Sequence, residues 1–113
     1  MMSAESALRI EASLAALPPS ERERVALYGA RLLSTEMESR LALAARELAR
    51  LETKYGMTIT HLQEVGLPED AGLEAHEDFV EWSGWQATYD EASHILETLQ
   101  RILETADALP LTE

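Results

Sequence analysis

Hydrophobic positions along this chain recur at helical spacing throughout. In residues 4–17, Ala7, Ile10, Leu14 and Leu17 fall three or four apart, and Ser3 stands where an N-cap belongs. Pro18-Pro19 interrupts the pattern. Ser20, with Glu23 three residues on, reads as a capping box that opens a helix over 20–55. This run is rich in Ala, Leu, Glu and Arg, and Gly29 is its only glycine. Its lower part carries the stripe Met37, Leu41, Ala44, Leu48, Leu51 and Tyr55. The upper part shifts to Val25, Tyr28 and Leu32, which predicts a different neighbour there, such as the 4–17 helix.

Gly56 follows as a helix C-cap. Thr58 is placed to cap a short helix over 58–65 with Ile59, Leu62 and Val65 on its buried face, and Gly66, Pro68 and Gly72 mark a loop. Over 74–108 the spacing of Trp82, Trp85, Tyr89, Ala92, Leu96, Leu99, Leu103 and Ala106 alternates three and four, as in a coiled-coil seam, and Pro110 marks its end. Ile95 and Ile102 flank the seam and widen the apolar face beyond what a two-stranded coil needs.

The pattern predicts an all-α fold: one domain, 1–113, built as an antiparallel hairpin of two long helices, coiled-coil-like, with a short N-terminal helix. The expected seam is Leu41, Leu48, Leu51 and Tyr55 against Tyr89, Leu96, Leu99 and Leu103. Two such broad stripes exceed what one hairpin covers, so a homodimer forming a helical bundle with a four-helix core, or an obligate complex with another protein, is expected.

Charge adds a second picture. The chain has net charge −12, which disfavours direct nucleic-acid binding. Residues 20–55 hold six acids and seven bases, whereas residues 56–113 hold thirteen acids and one base, Arg101. The row Arg31, Arg40, Arg46 and Arg50 is expected to offset carboxylates of the second long helix. Such exposed pairs contribute only about 0.5 kcal/mol each, so apolar burial must hold the hairpin. There is no cysteine, no signal-peptide pattern in residues 1–12 and no apolar run of membrane-spanning length. A cytoplasmic protein away from membranes is expected.

The segment 64–81 contains Glu64, Glu69, Asp70, Glu74, Glu77, Asp78 and Glu81 without a single Lys or Arg. Acids near a helix N-terminus favour the macrodipole and aid solubility. They also make a surface suited to a basic protein, with Glu74, Glu77, Asp78, Phe79, Glu81, Trp82 and Trp85 as its candidate residues. Aromatics in that set serve equally as core or as interface anchors.

Catalytic patterns are thin. Glu91 and His94 match the Glu-x-x-His spacing of di-iron bundles, but that chemistry needs further carboxylates on facing helices. Glu74-x-x-Glu77 with Glu104-x-x-Asp107 is similar to the magnesium-binding spacing of all-α nucleotide pyrophosphohydrolases. Both pairs lie on one helix, however, roughly 40 Å apart at the helical rise. No cofactor, metal site or catalytic residue is assigned.

Two runs resemble known proteins. Leu17-Pro18, followed by Val25 and Tyr28, resembles the Leu-Pro-x6-Val-x-x-Tyr/Phe stretch of small bacterial antitoxin-like proteins. Lys54-Tyr55-Gly56-Met57, with His76-Glu77-Asp78-Phe79-Val80-Glu81-Trp82, resembles small prokaryotic helical proteins whose genes lie beside a toxin-like gene. The resemblance implies a protein that neutralises a toxin, with Glu77, Asp78, Phe79, Glu81 and Trp82 at the matching positions. It departs from typical antitoxins in having no recognisable DNA-binding element. The expectation is thus a protein-binding module, antitoxin-like, for a basic partner that could be a nuclease. The alternatives are a homo-oligomeric scaffold or adaptor and a magnesium-dependent pyrophosphohydrolase-like enzyme.

Overall fold

A computed structural model describes residues 3–108, which form four helices in an elongated body of 67 × 33 × 20 Å. The helices are α1 (Ala4–Ala16), α2 (Pro19–Tyr55), α3 (Ile59–Val65) and α4 (Leu73–Ala108), and the described residues contain no strand. The long helices α2 and α4 pack along each other, and the ion pairs Arg50–Glu81 and Lys54–Asp78 fix them antiparallel. The all-α hairpin read from the sequence is the observed architecture. Pro110 and the side chains of Ala106 and Asp107 lie outside the described residues.

Local chemistry explains most of the boundaries. Ser3 accepts from the Ser6 amide and Thr58 from the His61 amide, so both short helices begin on side-chain caps. Gly56 ends α2 with φ 65, a left-handed conformation costly for residues with a Cβ, and its amide donates to the Glu52 carbonyl. The start of α2 is a correction. It begins at Pro19, with no side-chain cap on Pro18, so the Ser20–Glu23 capping box does not open it. Proline at the first helical position already has a suitable φ and lacks the amide a cap would satisfy.

The interface between α2 and α4 holds two clusters. At the closed end, Leu48, Leu51, Ile59, Leu62 and Trp82 are buried, with Tyr55, Met57, Leu67, Phe79 and Trp85 packed around them. Towards the open end, Ala30, Met37, Ala92 and Leu99 are buried, flanked by Leu41, Ile95, Leu96 and Leu103. On α2 the buried heptad Ala30, Met37, Ala44, Leu51 runs without a break, with Ser34 and Leu48 at intervening positions.

Several expectations change here. The α2 stripe does not shift to Val25, Tyr28 and Leu32. It continues straight through Ala30 and Ser34, and those three side chains are exposed. Helix α1 buries none of its residues, so it is not the neighbour that covers them. Val65 is 62% exposed and falls off the buried face of α3, which reduces to Ile59 and Leu62. Tyr89, expected in the seam, sits on its exposed edge. Of the Arg row, Arg50 alone reaches across to α4; Arg40 pairs with Glu36 on its own helix, and Arg31 and Arg46 make no ion pair among the described residues.

Candidate interaction surface

The acidic start of α4 is split by its register against α2. Helical geometry puts Glu74, Asp78 and Glu81 on the side that meets the end of α2. Lys54 Nζ donates to Glu74 Oε1 at 2.7 Å and to Asp78 Oδ2 at 2.6 Å. Arg50 Nη2 donates to Glu81 Oε1 at 3.0 Å, and the Tyr55 hydroxyl donates to Asp78 Oδ2. The Asp78 side chain is only 13% exposed. The Lys54 ammonium and the Tyr55 hydroxyl hold the Asp78 carboxyl below its ordinary value, and the same contacts hold Lys54 and Tyr55 above theirs. Beneath this clamp the Tyr55 and Trp82 rings stack with centroids 5.7 Å apart.

This geometry revises the candidate partner surface. Trp82 is fully buried, so it is a core residue and not a partner-facing anchor. Phe79 and Trp85 are half-buried against the same core, and the Trp85 Nε1–H points to Glu81 at 3.4 Å. Glu74, Asp78 and Glu81 hold the hairpin's own cations. Of the seven residues proposed from sequence, Glu77 remains an exposed carboxylate without an ion pair among the described residues.

Two large apolar side chains missed by sequence reasoning stand beside it. Leu73 is 74% and Val80 71% exposed, one heptad apart on the outer side of α4. His76, Glu77, Val80 and Glu81 line one shallow depression. Glu69 and Asp70, in the turn that precedes α4, are exposed and add charge at its start. The signal was present as a Leu-x6-Val heptad, but a helix started at Glu74 leaves Leu73 outside it.

A second surface lies between the long helices. Arg40 and Leu43 from α2 and Trp85, Thr88, Glu91 and Ala92 from α4 line a groove on one side of the hairpin. The metal-type patterns do not assemble: Glu74 is drawn to Lys54, Glu104 is about 45 Å further along the same helix, and among the described residues no three His, Asp or Glu side chains form a metal-holding group. No described helix is long and apolar enough to cross a membrane. No family model matches this chain, and no characterised protein or solved structure shows significant similarity to it.

Proposed function

We propose that this chain is a protein-binding module that docks a basic partner on the outer face of α4, in the manner of an antitoxin-like neutraliser. The observation that carries the reading is the pairing of Leu73 and Val80, both exposed, with the Glu77 carboxylate, unpaired among the described residues, between them and Glu69 and Asp70 beside them. Exposed apolar anchors rimmed by charge of one sign suit a partner with apolar contacts inside a basic rim. The clamp sharpens the choice, because Glu74, Asp78 and Glu81 are engaged by the hairpin's own Lys54 and Arg50, whereas Glu77 has no ion pair among the described residues.

The test is capture from the native host with the full chain and with Leu73→Ser/Val80→Ser/Glu77→Lys. A basic protein retained by the first and lost by the second, with helicity unchanged by circular dichroism, supports the reading. Relief of that protein's toxicity on co-expression supports the antitoxin form. Equal capture by both chains removes the α4 outer face from consideration.

A further inference from the structure

The groove between α2 and α4 is the wider unpartnered surface, and heptad spacing shows how far it extends. Thr88 lines it, and Ile95 and Ile102 follow at seven-residue steps on the same stripe of α4. Arg40 lines it from α2, and Leu33 lies one heptad before it. Leu33, Leu43 and Ile102 are 43%, 40% and 37% exposed, and Ile95 is half-buried. A two-helix hairpin thus leaves an apolar trough open along its upper half, where a bundle would place its centre.

We propose that a second copy of this chain covers the trough, two hairpins packing groove to groove as a four-helix bundle whose two-fold axis runs along the hairpin. Charge selects both the occupant and the axis. Arg40 lines the groove from α2, where it also pairs with Glu36, and Glu91 lines it from α4. One heptad beyond Leu43 stands Arg50, which also pairs with Glu47, and one heptad before Thr88 stands Glu81. Arg50 pairs with Glu81, and at the same antiparallel register Arg40 stands level with Glu91 across the groove they both line. A two-fold axis along the hairpin keeps every residue at its height and sets α2 beside the partner's α4. Arg40 then faces the partner's Glu91, twice per dimer. An axis across the hairpin would instead lay α4 on the partner's α4 and α2 on the partner's α2, which sets the edge carrying Glu81 and Glu91 against the same acidic edge and keeps Arg40 away from the partner's Glu91. The trough differs from the outer face of α4, so each can be tested without the other.

Sedimentation velocity of the full chain at micromolar concentration is expected to give a dimer. Arg40→Glu and Glu91→Arg should each weaken self-association by about tenfold or more, as like-charge contacts do. An equimolar mixture of the two variants should form the mixed dimer well beyond its statistical share by native mass spectrometry, because only that dimer has both pairs matched. A role confined to one chain could not produce such a preference. Leu43→Glu/Ile102→Glu, at partly exposed positions, should give a helical monomer. Leu73→Ser/Val80→Ser/Glu77→Lys should remain dimeric. A wild-type monomer at 100 µM would overturn the proposal, and so would a statistical mixture of the charge variants or an unchanged dimer for the double-Glu variant.

Discussion

The two halves of the hairpin solve the same packing problem with different means. At the closed end, α3 and the loop that follows it add Ile59, Leu62 and Leu67 to the two long helices, and two tryptophans fill the space between them. An ion clamp then ties Lys54 and Arg50 to Glu74, Asp78 and Glu81. In the open half no third element packs on the two long helices among the described residues, since α1 buries none of its side chains. Its seam is narrow, with Ala30, Ser34, Ala44 and Ala92 among its buried positions, and its wider apolar residues face solvent. Small residues let helices approach closely, but they bury little area. The closed end is therefore the self-sufficient part of the fold, and the open half is where association has most apolar surface left to bury.

Truncation in each half is the largest way to break this contrast. Trp82→Ala removes a fully buried ring from the closed end and should cost about 3–5 kcal/mol in urea unfolding. Leu99→Ala, in the thinner open-end cluster, should cost less, about 2 kcal/mol. Native-state hydrogen exchange should show the same order, with amides near Leu48 and Leu51 the last to exchange and those near Ala30 earlier. Equal costs and equal protection would mean that the halves are energetically alike.

Next in size is the clamp, which titrates. The Asp78 carboxyl is lowered by Lys54 first and by Tyr55 second. A carboxyl lowered in the folded state contributes stability that is present above its unfolded value, near about 3.9, and lost as pH falls through the lower folded value. Asp78→Asn should therefore destabilise the chain at pH 7, by less than Trp82→Ala, and the gap from wild type should close on acidification below pH 4. A parallel pair of stability curves down to pH 2 would show that Asp78 contributes through shape and not through charge. The corresponding open-half change, Glu36→Gln, breaks only an exposed pair within one helix, with Arg40, and should leave the curve within about 0.5 kcal/mol of wild type.

What could be read in the sequence follows the range of the physics involved. Gly56, Thr58 and Ser3 act through neighbouring backbone, so their roles are local and were legible. The seam from Met37 to Tyr55 was legible because large apolar residues mark it. It was lost at Ala30 and Ser34, where small or polar side chains are buried by position and not by hydrophobicity, and brighter residues such as Val25 and Leu32 drew the stripe elsewhere. The acidic segment was legible as a concentration of charge, but not as two sets. Which carboxylates meet Lys54 and Arg50 depends on the antiparallel register, and that is set by contacts some thirty residues away. Leu73 and Val80 were missed for a related reason: an exposed heptad on the far side of a helix carries no core signal.

The smallest expected effect has the opposite sign. Ser34 is buried in the open-half seam, and its hydroxyl has no hydrogen-bond partner among the described residues. Burying a hydroxyl without a partner costs about 1–3 kcal/mol, and serine is a weaker helix former than alanine by a few tenths of a kcal/mol. Ser34→Ala keeps the small volume that lets α2 and α4 approach, while removing the unmet polar group. It should raise stability by about 1 kcal/mol in urea unfolding, against the loss expected from every closed-end substitution. A Ser34→Val control separates the two causes, because it also removes the hydroxyl but adds bulk to a tight seam and should destabilise. If Ser34→Ala lowered stability instead, the hydroxyl would have to be making a contact within the seam, and the open half would owe part of its order to a polar interaction as the closed end does.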